Sequence, residues 1–192
     1  MESFLVSAGV VAVAEIGDKT QLLALLLASR FRAPFSISLG ILLATLANHA
    51  GAAALGVWTA AFVPHAPLLW LAALSFFAMA FWALRKDSLD RMPEFAASAG
   101  AFLAALVSFF IVEIGDKTQV ATVALASRYH SVFAVTSGTT LGMMIANVPV
   151  VMAGQWAARR LPLGWIRVAA AAMFLLLGFA AAVDAARFSG AF

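Results

Sequence analysis

Long apolar runs separated by short polar breaks organise the whole chain. Six such runs, at residues 4–29, 35–62, 68–84, 95–127, 132–157 and 165–186, predict six membrane-spanning helices. Each has at least the roughly 17 residues needed to cross a hydrocarbon layer. The connections fall at residues 30–34, 63–67, 85–94, 128–131 and 158–164, and only 85–94 is strongly charged. Lipid replaces water around such helices, so the polar stripe of a soluble surface helix is not expected. The expected class is therefore an all-α membrane protein. Composition agrees: the chain has 192 residues, 64% of them hydrophobic and 11% charged. Soluble domains average about 25% charged residues.

Two polar insertions break the apolar pattern. Glu15-Ile16-Gly17-Asp18-Lys19-Thr20-Gln21 lies in the first run, and the same seven residues recur at Glu113 to Gln119 in the fourth. The offset is 113 − 15 = 98, and at that offset 14 of the 29 positions from Glu15 to Leu43 are identical. Leu27-Ala28-Ser29-Arg30 matches Leu125-Ala126-Ser127-Arg128, Phe35 matches Phe133, and Gly40 matches Gly138. The chain reads as a duplication: a first repeat over 1–84, a cytoplasmic linker over 85–94 and a second repeat over 95–192. Three spans per repeat is an odd number, so the second repeat must enter the membrane inverted. Inverted repeats bring paired motifs together near the bilayer midplane. The expected architecture is six transmembrane helices as two inverted three-helix repeats, with Glu15, Asp18, Glu113 and Asp116 converging. The two motif-bearing runs are long enough to require tilt, an interfacial extension, or a break at Gly17 or Gly115.

Charge sets the orientation. Arg30, Arg32, Arg85, Lys86, Arg91, Arg159, Arg160 and Arg167 fall on one side, against Arg128 and Arg187 on the other. The excess of basic residues on cytoplasmic loops places both termini outside the cytoplasm. The N-terminal run lacks a basic leader and a small-residue cleavage site, and is expected to be a retained span. The net charge of +3 is scattered and makes no nucleic-acid patch. There is no cysteine, so disulfides and thiolate metal sites are excluded.

Charged side chains inside a membrane are costly and usually functional. Four carboxylates and two lysines sum to −2, which one divalent cation would neutralise. Glu15, Asp18, Glu113 and Asp116 are the candidate metal ligands. Lys19, Thr20, Gln21, Lys117, Thr118 and Gln119 support the site. Carboxylate, hydroxyl and amide oxygens are hard ligands suited to Mn²⁺, Ca²⁺ or Mg²⁺. Crowded carboxylates away from water can also take up protons when a metal leaves. In a continuous helix Lys19 would reach Glu15, and Lys117 would reach Glu113, as neutralised packing pairs. Two identical constellations are poorly explained by packing alone.

Other polar residues carry less. Asn48 and Asn147 are secondary site candidates, with interhelical hydrogen bonding as the simpler role. His49 reads as an interhelical hydrogen-bonding group, and His65 and His130 as solvated loop residues. Asp184 is expected to form a surface pair with Arg187, three residues on. Gly51, Gly56, Gly100, Gly154 and Gly178 suggest close helix packing. Trp58, Trp70, Trp82, Trp156 and Trp165 suggest anchors at the membrane interface.

The duplicated Glu-x-Gly-Asp-Lys/Arg-Thr/Ser motif in a small six-span chain resembles the cation/proton exchangers that include bacterial manganese exporters and the Golgi manganese/calcium transporter of eukaryotes. The resemblance covers essentially the whole chain. It implies that the acidic residues Glu15, Asp18, Glu113 and Asp116 form the cation site, with protons as exchange partner and no cofactor beyond the transported ion. A compact chain without a long leader or extended central loop looks like a bacterial member, which implies Mn²⁺ export across an inner membrane. Two other classes remain open: an exporter of a small organic cation or amino acid, and a non-transporting membrane subunit whose charges pair with a partner helix. No nucleophile–base pair or metalloprotease spacing suggests an enzyme.

Overall fold

The computed structural model describes residues 1–85, 100–153 and 163–189. The described residues form eight helices: α1 (Glu2–Glu15), α2 (Lys19–Phe31), α3 (Pro34–Phe62), α4 (His65–Ala83), α5 (Ala101–Glu113), α6 (Lys117–Tyr129), α7 (Val132–Ala153) and α8 (Leu163–Phe188). They include no strand. Helices α3, α4, α7 and most of α8 are long and apolar enough to cross a membrane, and α5 is a shorter apolar helix. Beyond Arg85, the charged linker expected at 85–94 lies outside the described residues, as do Gly154, Trp156, Arg159 and Arg160. Trp58, Trp70, Trp82 and Trp165 all face outward.

The first and fourth apolar runs are not single helices. Each is two helices joined by a break, at residues 16–18 between α1 and α2 and at residues 114–116 between α5 and α6. The two broken units also end alike. Arg32 and Arg32's repeat equivalent His130 both adopt left-handed backbone, with φ of 48° and 50°. Each donates its N–H back to a helix carbonyl, Ala28 or Ala126. This left-handed cap stops the helix and turns the chain into the next one. Pro34 then opens α3, where its fixed φ suits the first helical turn.

Partner exchange between the halves builds the interior. Helix α1 packs on α7 and α5 packs on α3, while α4 packs on α8. Phe76 and Phe174 stack at 6.4 Å between α4 and α8, and Gly178 lies under the Phe77 ring. Gly40, Gly56, Gly138 and Gly142 mark the closest crossings, whereas Gly51 and Gly100 face open space. Close-packing therefore uses a partly different glycine set from the one the sequence suggests. A methyl group on Gly142 would lie 2.4 Å from the Ala8 carbonyl oxygen and 2.8 Å from the Ala12 nitrogen. Both are backbone atoms of α1 and cannot yield alone. Gly142→Ala is expected to destabilise the fold by about 1–3 kcal/mol. Thermal unfolding in detergent checks this against Gly9→Ala, whose added methyl meets nothing within 4 Å.

One end of the molecule gathers the starts of α1 and α4 and the ends of α6 and α8. The Tyr129 hydroxyl lies 3.4 Å from Glu2 Oε1, and His65 packs against both His130 and Phe188. His65 opens α4 and His130 caps α6, so neither sits in an extended loop. Asp184 corrects a sequence expectation. It pairs with Arg128 of α6 at 2.7 Å, tying α6 to α8, because a helix neighbour across the interface is better placed than Arg187 on its own helix.

Candidate cation site

Glycine creates the two breaks. Gly17 and Gly115 have φ of +82° and +75°, a left-handed conformation that residues with a Cβ rarely adopt. The freed backbone groups are satisfied locally and identically. Gly17 N–H donates to Gln21 Oε1 at 2.8 Å, and Gly115 N–H to Gln119 Oε1 at 2.7 Å. Asp18 N–H donates to the Glu15 carbonyl, and Asp116 N–H to the Glu113 carbonyl. The motif glutamines are thus built into the turn. Asp18 and Asp116 occupy the N-cap positions of α2 and α6. Asp116 Oδ2 accepts from both the N–H and the hydroxyl of Thr118 at 3.3 Å. Helix N-termini carry partial positive charge and favour anions at this place.

The breaks also change which charges meet. Lys19 pairs with Asp116 at 2.9 Å, and Lys117 pairs with Asp18. The pairs cross between the two halves, in place of the Glu15–Lys19 and Glu113–Lys117 pairs of a continuous helix. Lys117 is 4% exposed and Lys19 is 25% exposed. Glu15, Asp18 and Asp116, all buried, each bring one oxygen within 4.8 Å of the others. Oxygens on opposite sides of a calcium-sized ion stand about 4.6–5.2 Å apart, and about 4.0–4.2 Å apart for magnesium. The trio can close on a divalent cation with at most a small contraction.

Glu113 is held differently. Its Oε1 accepts from the Thr45 hydroxyl at 3.0 Å and its Oε2 from Asn48 Nδ2 at 3.3 Å. Asn48 Nδ2 also lies 3.0 Å from the Phe110 carbonyl. Glu113 is not part of the three-carboxylate group. Glu15 makes the opposite choice: it is fully buried, and neither carboxylate oxygen has a hydrogen-bond partner among the described residues. A buried carboxylate without partners is expensive unless a ligand completes it.

The supporting residues divide as well. Gln21 Nε2 donates to the Ala146 carbonyl at 3.1 Å, fastening α2 to α7. Gln119 instead lines a groove of about 230 Å³ beside Gly51, Leu55 and Val123. Thr20 is buried with its hydroxyl unpartnered among the described residues, whereas Thr118 binds Asp116. Asn147 donates to the carbonyl and sulfur of Met143 on its own helix, so its amide does not bridge helices. Nor does His49: the ring is buried and neither nitrogen has a partner among the described residues. Thr45 was not singled out in the sequence. Its signal was its place one turn before Asn48 on a helix face, aimed at the second motif. A second groove, of about 270 Å³ between α3, α4 and α6, is lined mainly by apolar residues and lies away from these carboxylates.

Comparison with known proteins shows the family of the chain. The family described as "Divalent cation/proton antiporter GDT1" matches residues 3–91 and again residues 101–188. The chain belongs to this family. The two matches start 101 − 3 = 98 residues apart, the same offset as the motif repeat. A protein of Vibrio cholerae serotype O1, described as "Putative manganese exporter", is 50% identical over 183 residues, covering 95% of this chain and 91% of that protein. No solved structure matches the chain. As a member of the divalent cation/proton antiporters, the chain is a multi-pass membrane transport protein and not an enzyme.

Proposed function

We propose that the chain exports Mn²⁺ from the bacterial cytoplasm across the inner membrane in exchange for protons, with Ca²⁺ as the second-ranked ion. The observation that carries this reading is the convergence of Glu15, Asp18 and Asp116 from both halves, with both Glu15 oxygens open to a ligand. Hard oxygen donors and the absence of cysteine favour Mn²⁺ and Ca²⁺ over softer metals. The Vibrio relative's description favours Mn²⁺ between the two.

In this reading each half supplies three spans, the broken pair α1–α2 or α5–α6 counting as one. The halves are inverted relative to each other, and both termini lie outside the cytoplasm. Alternating access then exchanges the environments of α2 and α6. Their present inequality supports this: among the described residues α6 packs on α3 and α4, whereas α2 packs on α7 without a comparable contact to α8. The more exposed Lys19 marks the looser side. A breathing motion between the halves would carry the ion past the crossed lysine–aspartate pairs, whose positive charges keep the site from holding the cation too tightly.

Inside-out vesicles containing the protein and an internal pH dye test the proposal. Mn²⁺ uptake with proton exit, faster than Ca²⁺ uptake and absent with Mg²⁺, is the expected result. Folded protein that moves none of these ions overturns it.

A further inference from the structure

The two motifs are identical in sequence, yet their glutamates sit in unlike surroundings. Resting on the proposed cation exchange, we propose that Thr45 and Asn48 are positioning residues that hold Glu113 away from the resident site, so that Glu15 is the permanent metal ligand and Glu113 a reserve ligand recruited during transport.

Three observations support the division. Both oxygens of Glu113 accept hydrogen bonds from α3, at 3.0 Å from Thr45 and 3.3 Å from Asn48. The matching positions on α7, at 45 + 98 = 143 and 48 + 98 = 146, are Met143 and Ala146, whose side chains have no N–H or O–H to donate. Glu15 has no equivalent clamp, and both its oxygens are unpartnered among the described residues. A carboxylate released from hydrogen bonds is available to a cation, whereas one with both oxygens engaged must first give them up.

The separation of Glu113 is not remote. Glu113 lies three residues before Asp116, whose backbone N–H donates to the Glu113 carbonyl at 3.0 Å, so recruitment is a movement of the Glu113 side chain toward a neighbouring part of the same turn. With three carboxylates and two lysines the resident site sums to −1, and Glu113 makes it −2. Recruitment therefore tightens the grip on a divalent cation, and return to Thr45 and Asn48 loosens it. A symmetric four-carboxylate cage would bind more tightly and release more slowly. The clamp on one glutamate provides a weaker and a stronger state within one site.

Equilibrium Mn²⁺ binding to purified full-length protein in detergent tests this, read by the loss of the free-ion electron paramagnetic resonance signal. Glu15→Gln is expected to weaken binding at least 30-fold, and Glu113→Gln less than threefold, while both stop vesicle transport. Thr45→Val with Asn48→Ala is expected to tighten binding about fivefold and slow transport. Thr45→Ser, which keeps the hydroxyl, should behave as the parent. The tightening should vanish when Glu113→Gln is added, which a merely structural effect of the α3 substitutions would not produce. Equal losses in the two single glutamine variants overturn the inference, whether or not the α3 variants fold. An α3 double variant that folds and binds no more tightly than the parent also overturns it. A parent protein that binds no Mn²⁺ overturns the transport reading itself, and this inference with it.

Discussion

Glu15→Gln is expected to lower Mn²⁺ flux at least 100-fold while leaving the protein inserted and folded. A hundredfold loss corresponds to about 2.7 kcal/mol. The substitution keeps the shape of the side chain, removes its charge and replaces one acceptor oxygen with an amide NH2 donor. No hydrogen bond to Glu15 is lost, because neither oxygen has a partner among the described residues. Replacing a fully buried carboxylate with a neutral amide also relieves a desolvation penalty. The variant should therefore melt no lower than the parent, and a modest rise is expected. Loss of transport together with retained or increased stability separates a site residue from a packing residue. Parent-like flux in vesicles, or a large drop in melting temperature, would remove Glu15 from the site.

The second large effect concerns the lysines. Lys117→Met is expected to destabilise the protein by about 3–5 kcal/mol, the range for breaking a buried ion pair. Lys117 is 4% exposed and faces an Asp18 that is fully shielded. Lys19→Met should cost less, about 1–3 kcal/mol, since Lys19 is 25% exposed and its buried partner Asp116 keeps the hydrogen bonds from Thr118. The two lysines occupy the same place in identical motifs, so a sequence-based expectation gives them equal effects. Adding Asp18→Asn to Lys117→Met should recover most of the stability, as expected when a substitution removes the second half of a coupled pair. Thermal unfolding in detergent of the four proteins measures this. Equal melting temperatures for the two single lysine variants would refute the unequal burial.

The helical class and the duplicated motif were legible in the sequence, and a break at Gly17 or Gly115 was one of three ways it left open for the long runs to fit the membrane. Apolar run length sets the helices, and a Gly in a motif shared by two long runs marks a natural place for the backbone to turn. The partners of the charged groups were not legible. Spacing within one helix pairs Glu15 with Lys19, but the positive φ at Gly17 rotates Lys19 onto a new helix axis and toward Asp116. The different fates of Glu15 and Glu113 were hidden for a related reason. They depend on α3 and α7, where the repeat has diverged and Thr45 and Asn48 face Met143 and Ala146 across the offset. Asp184 illustrates the same limit, since its partner Arg128 lies 56 residues away on α6 and not three residues on along its own helix.

The crossed pairing has a consequence for how the chain is made. During synthesis the first half emerges with Asp18 and Lys19, whose cross-partners Lys117 and Asp116 are still untranslated. Until the second half arrives, those charges lack the counterions that the finished protein supplies. Completion of the electrostatic circuit is then a late event, reached only when both halves are present and correctly docked. A truncated product ending in the central linker would hold Asp18 and Lys19 without the cross-partners that the second half brings.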